Sequence, residues 1–376
     1  MTQERDAHLF GPGPKRALAI DGGGTRGIVA LTFLARIEAL LADAYGRGDA
    51  FRLCDHFDLI AGTSTGAIVA TGLALGMRVR EVIDVYIQLA PAAFARRRLR
   101  MPLLAPRYDV RPLERYLHRL IGDRPLDTPD LRTGLLIVTK RFDTGSTWMI
   151  SNSPRAPYWD ASPNGQTVGN RHYKLAQLVR ASSAAPTIFS PVKVRIQTDL
   201  PPGVFVDGGV SPFNNPLLPL LMTTQMNAYG LRWTTGAEHL HIVSIGCGTY
   251  RRLHHRGQTP STALQLGIQG LAGLINDGQT LALTMAQWLS EPIDPWPINS
   301  EIGSLAGEVL GGRPLFGFSR YDVRLEAEWL QERLGERVPE ERLVQLQRID
   351  AAEQMTALQE IARRVAETMV VRQGLG

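Results

Sequence analysis

The chain has 376 residues, 44% of them hydrophobic and 20% charged, with a formal net charge of +5. That length admits one large α/β domain or two ordinary ones, and the composition excludes a disordered or fibrous chain. No run reaches the roughly 18 apolar residues of a membrane span, residues 1–10 lack the apolar core of a signal peptide, and two distant cysteines, Cys54 and Cys247, make neither a metal set nor a disulfide framework, so a cytoplasmic protein is expected.

Residues 17–20 are short and apolar, 21–27 form a glycine turn, and 28–44 carry apolar residues at helical spacing, which predicts strand, turn, helix. The plan repeats: 57–61 reads as a buried strand, 62–66 as a tight turn and 67–75 as a helix of small and apolar residues. Helices are expected over 79–89 and 110–121, separated by a proline-bearing stretch and the one basic cluster, Arg96, Arg97, Arg98 and Arg100, which reads as a solvated helix face. A strand at 134–139 precedes a Pro-, Asn-, Ser- and Gly-rich segment at 152–169, the composition of a long irregular loop. Further on, a helix is expected at 173–181, strands at 192–196 and 204–206, a helix at 217–226 and a strand at 240–245. Strands alternating with helices predict a largely parallel sheet. Beyond 249 the pattern is helical at 262–289, rich in Pro and Gly at 291–320, and helical again at 323–371.

Three segments carry chemistry. Gly62-Thr63-Ser64-Thr65-Gly66 has the G-x-S-x-G form of a nucleophile elbow, with Gly62 and Gly66 permitting the sharp strand-to-helix turn that presents a serine hydroxyl. Asp21-Gly22-Gly23-Gly24-Thr25-Arg26-Gly27 lies between a strand and a helix and offers consecutive backbone N–H groups at a helix N-terminus, a place for an anion. If Ser64 is a nucleophile, that anion is the oxygen of a tetrahedral intermediate, with Arg26 adding charge. If the loop instead holds phosphate, the chain is a nucleotide-dependent kinase of the actin-like fold, whose Asp-Gly-Gly-Gly-Thr turn joins two strands of a hairpin. Val206-Asp207-Gly208-Gly209 places a carboxylate at the C-terminal end of a strand, the edge where open α/β sheets carry their sites. A triad would need a histidine as well, and His239, His241, His254 and His255 follow the acid.

Together the three segments resemble the patatin-like phospholipases, which combine G-G-G-x-[RK]-G, G-x-S-x-G and D-G-[GA] in that order. Residues 181–187 are similar to the family's A-[ST]-x-A-x-P segment. The resemblance covers about 17–250 and implies a three-layer α/β/α patatin-like fold with a mostly parallel central sheet and added C-terminal helices. It divides the chain into an extension at 1–16, a catalytic domain at 17–250 and a mainly helical part at 251–376 packed on it. It implies that Ser64 is the nucleophile and Asp207 its base in a dyad without histidine, that Gly22, Gly23, Gly24 and Arg26 form the oxyanion hole, and that neither metal nor cofactor is needed. The implied substrate is phospholipid, met peripherally at the inner membrane surface. Bacterial relatives of similar size include antiphage effectors switched on by a cyclic nucleotide, so a cyclic nucleotide activator and a homo-oligomer stand as partners, with no nucleic acid polymer. A lipid or nucleotide sensor that keeps the fold without activity is a further alternative.

Overall fold

The computed structural model describes residues 4–94, 107–251 and 263–376. The arginine cluster at 96–100 and the pair His254 and His255 lie outside the described residues. After a short helix, α1 (Glu4–Phe10), the chain runs through β1 (Lys15–Ile20), the glycine turn and α2 (Gly27–Ala44). No strand returns after the turn, so the hairpin required by a kinase of the actin-like type is not formed. The second unit is β2 (Leu59–Thr63) and α3 (Thr65–Ala74), followed by α4 (Val79–Ala93) and α5 (Arg111–Ile121). Next come β3 (Gly134–Arg141), β4 (Thr147–Ser151), α6 (Leu175–Ser182), β5 (Val192–Val194), β6 (Gly203–Asp207), α7 (Leu217–Gln225) and β7 (Leu240–Ile245). The last third holds α8 (Ala263–Leu289), β8 (Glu291–Pro292), β9 (Gly317–Tyr321), α9 (Ala327–Leu334), α10 (Glu340–Leu346) and α11 (Met355–Met369).

β1 lies at the centre, parallel to β2 and β7; β3 extends the sheet parallel to β2, and β9 extends it parallel to β7. Strand side chains alternate between faces, and both faces are buried. Leu18, Ile20, Ile60, Ile137, Val243 and Ile245 join a core with α2, α3, α4, α6 and α11. Ala17, Ala19, Leu59, Ala61, Leu136 and Ile242 join a second core with α7 and the C-terminal turns of α8. These are the three α/β/α layers and the mostly parallel sheet that the sequence predicts, since continuous apolar strands suit a sheet covered on both sides. Two elements differ from the expectation. β4 makes a hairpin with β3, and the Pro- and Gly-rich stretch conceals β9, so residues beyond 250 contribute strands to the central sheet as well as helices. Among the described residues, no helix is long and apolar enough to cross a membrane.

The register at β3 positions the site. Val138 pairs with Thr63 on one edge and Met149 on the other, while Thr139 pairs with Asp207 and Trp148. A strand has only two hydrogen-bonding edges, so β2 and the antiparallel β6 share one edge and meet there end to end. The last residues of two oppositely directed strands, Thr63 and Asp207, are thereby brought side by side.

Candidate active site

Ser64 follows the last residue of β2 and precedes the first turn of α3, with φ 56° and ψ −126°, a conformation that costs a non-glycine residue of order 1–3 kcal/mol. The flanking glycines make that turn feasible: a Cβ on Gly62 would overlap the Gly66 carbonyl, and one on Gly66 would overlap the backbone of Ile20. The elbow is braced from α6 and the residue after it. The Ser64 N–H donates to Ser182 Oγ at 2.9 Å, and Ser183 Oγ–H donates to the Ser64 carbonyl at 3.2 Å. Both serines belong to the segment 181–187, so the signal for them was present in the sequence although their contact with Ser64 was not.

The Ser64 hydroxyl donates to Asp207 Oδ2 at 2.6 Å, and the Gly209 N–H donates to Asp207 Oδ1 at 2.7 Å, so both carboxylate oxygens have a partner. Asp207 is 4% exposed. Burial raises its pKa to about 6, and the Ser64 hydroxyl, the Gly209 N–H and the charge of Arg180 oppose that rise. A carboxyl group lifted toward neutrality is a better proton acceptor than an ordinary aspartate while remaining ionised at pH 7.

The glycine turn runs beside the serine: a Cβ on Gly22 would stand 3.0 Å from the Ser64 Cβ. Gly22 N–H donates to the Asn214 carbonyl at 3.0 Å and Gly23 N–H to Thr65 Oγ1 at 3.1 Å. Gly24 takes φ +57°, and any side chain there would run into the carbonyl of Ile349, which accepts the Thr25 N–H at 2.8 Å. The Gly24 carbonyl accepts the Tyr86 hydroxyl. Arg26 extends along the loop after β7, where its Nη1 donates to the Gly248 carbonyl at 2.6 Å and its guanidinium lies 5.3 Å from the centre of the Tyr250 ring. Thr65 belongs to the elbow, while Asn214, Tyr86 and Ile349 are contacts that no local motif announces.

The two described candidates, His241 and His239, lie elsewhere. His241 pairs in register with Arg16, whereas Ile20 pairs with Ile245 at the end that carries Ser64, so His241 sits roughly 13 Å down the strand, four residues at about 3.3 Å each. Its Nε2 is 3.2 Å from both Ser319 Oγ and the Gly374 carbonyl, and burial lowers its pKa to about 4. His239 is two residues further down and pairs with Glu238.

A family model described as patatin-like phospholipase matches residues 18–221. Among curated proteins, a cGAMP-activated phospholipase of Vibrio cholerae serotype O1 is 34% identical over 212 residues, covering 54% of this chain and 55% of the relative. A cGAMP-activated phospholipase of Escherichia coli is 35% identical over 205 residues, covering 54% and 53%. The chain thus spans about half the length of the curated relatives it matches. Among solved structures, human GIVD cytosolic phospholipase A2 aligns with a TM-score of 0.38 at 12% identity, over 94% of this chain and 60% of that one.

Proposed function

The chain belongs to the patatin-like phospholipase family, and from that membership and the Ser64–Asp207 contact we propose that it is a lipid acyl hydrolase working through a serine–aspartate dyad. The observation that carries the reading is the 2.6 Å hydrogen bond from the Ser64 hydroxyl to a buried carboxylate. Ser64 Oγ attacks the carbonyl carbon of a fatty-acyl ester while Asp207 Oδ2 takes the hydroxyl proton. The carbonyl oxygen becomes an oxyanion held by the glycine turn. Thr65 Oγ1 is a rotatable hydroxyl, so its bond to the Gly23 N–H is one that a substrate oxygen can take over. Collapse of the tetrahedral intermediate expels the alcohol, which recovers the proton from Asp207 and leaves an acyl-serine. Water, deprotonated by Asp207, then attacks that ester, and Asp207 returns the proton to Ser64 Oγ as the fatty acid leaves. Gly22, Gly23, Gly24 and Arg26 form the oxyanion side in this scheme, and no histidine takes part. Gly23 and Gly24 offer the N–H groups, while the Gly22 N–H stays bonded to the Asn214 carbonyl and Arg26 to the Gly248 carbonyl at the two ends of the turn.

The substrate is phospholipid met at the membrane surface, in line with the net positive charge of the chain. Activation by a cyclic nucleotide is part of the proposal, because both bacterial relatives are cGAMP-activated phospholipases. The test is incubation of the protein, and of Ser64→Ala, with mixed phospholipid vesicles, with and without cyclic nucleotides, and identification of products by mass spectrometry. Free fatty acid and lysophospholipid from the first protein alone are expected; equal release by a folded Ser64→Ala variant sinks the assignment.

A further inference from the structure

β9 lies well beyond residues 18–221, yet it reaches the glycine turn through one side chain. Arg320 pairs in register with Ser244 of β7, and its side chain is completely buried, as is that of Asp322; Asp21 is 1% exposed. Nη2 donates to Asp21 Oδ2 at 2.7 Å and to Asp322 Oδ2 at 2.8 Å, while Nη1 donates to Asp21 Oδ1 at 3.1 Å and to Ser244 Oγ at 2.8 Å. Gln279 of α8 adds a bond from Nε2 to Asp21 Oδ2 at 2.6 Å.

A buried cation between two buried carboxylates is a poor device for stability, since well-packed apolar residues in such places are often as good or better. Its position gives it another use. Asp21 is the residue immediately before Gly22. Asp322 Oδ1 accepts the Gly248 N–H at 2.8 Å, and the Gly248 carbonyl accepts Arg26 Nη1 at 2.6 Å. The two carboxylates gripped by Arg320 therefore connect to opposite ends of the same turn.

We propose that Arg320 is a positioning residue for the glycine turn, its guanidinium fixing Asp21 at the start of the turn and, through Asp322 and Gly248, Arg26 at its end. The inference rests on the acyl-hydrolase reading, in which the turn meets full negative charge only in the transition state. Loosening it lowers kcat and leaves KM nearly unchanged. Lysine at 320 keeps the charge but has no planar fork to hold both carboxylates at once.

The experiment is steady-state hydrolysis of a soluble p-nitrophenyl acyl ester by the wild type, Ser64→Ala, Arg320→Lys, Arg320→Met and Gln279→Leu, with circular dichroism melts to confirm folding. Arg320→Lys is expected to lose about 10-fold in kcat, and folded Arg320→Met about 10²-fold, near the loss of one oxyanion donor, both with KM within about twofold. Gln279→Leu, which leaves every charge paired, is expected to lose about 3-fold in kcat, the scale of one hydrogen bond. Hydrolysis that survives in Ser64→Ala overturns the acyl-hydrolase reading and this inference with it. Hydrolysis that depends on Ser64 and is unchanged in kcat in folded Arg320→Lys overturns the inference alone, and so does a loss expressed only in KM. Should neither arginine variant fold, an unchanged kcat in Gln279→Leu overturns it.

Discussion

Replacing Asp207 by asparagine should inactivate the protein and, at the same time, make it more stable. Asp207 carries a carboxyl whose pKa burial lifts from 3.8 to about 6 in the folded chain, even with the Ser64 hydroxyl, the Gly209 N–H and Arg180 pulling the other way. Between those two values the native state binds more protons than the unfolded one, so this group lowers stability as pH rises from about 4 to about 6; above that the penalty is constant. A rise of about two units at about 1.4 kcal/mol each puts the penalty on the order of 3 kcal/mol at pH 8. Asparagine has the same shape and no charge, its Oδ1 can accept the Gly209 N–H, and its Nδ2 can donate to Ser64 Oγ, so the substitution leaves no polar atom there unpaired. Urea denaturation at pH 8 should place Asp207→Asn on the order of 3 kcal/mol above the wild type, and at pH 4 the difference should largely vanish. Ester hydrolysis should fall about 10³-fold or more, and the wild-type kcat/KM should drop tenfold per pH unit below about pH 6 as the base is protonated. A variant less stable than the wild type at pH 8, or a stability difference that does not change with pH, would refute the claim that Asp207 is held ionised against its burial.

Arg26→Ala is expected to lower kcat about 10²-fold with little change in KM on a neutral p-nitrophenyl ester, a substrate with no phosphate to grip. Full activity there would leave Arg26 as the brace between Gly248 and Tyr250 that its contacts describe. His241→Ala removes a buried ring bonded near Ser319 and Gly374, so it should cost about 1–3 kcal/mol in a thermal or urea melt while hydrolysis stays within a few-fold. A 10³-fold loss of kcat in a folded His241→Ala protein would restore the triad.

The parts of the site legible in the sequence are those whose constraint is local. Gly62 and Gly66 are demanded by backbone atoms no more than four residues away or on the adjoining strand β1, and Ser64 inherits its strained φ from the turn they permit. Spacing and the strand-to-helix context therefore point to the elbow, whereas the glycines of the turn ahead of α2 are demanded by distant residues: a Cβ on Gly22 would overlap Asn214 Oδ1, one on Gly23 the Cys247 side chain and one on Gly24 the Ile349 carbonyl. The closeness of Ser64 and Asp207, 143 residues apart, was not local: it follows from β6 running antiparallel along the edge of β3 that β2 vacates after Thr63. β4 is short, and its one local signal is Gly145, whose φ of 70° marks the turn that returns the chain antiparallel along β3.

β9 was harder for a physical reason. Its five residues Gly-Phe-Ser-Arg-Tyr are all buried, but two are polar, and a pattern search treats a strand interrupted by Ser319 and Arg320 as surface or loop. What makes Arg320 acceptable inside the sheet is a pair of carboxylates, Asp322 two residues on and Asp21, 299 residues earlier, a residue that by itself reads as an ordinary start to a glycine turn. Asp21 in turn finds its positive partner in Arg320, since an uncompensated aspartate at that depth would cost several kcal/mol. A charged residue within an apolar strand pattern thus carries a request for a distant partner of opposite charge. Here the partner adjoins the turn that the proposed chemistry depends on.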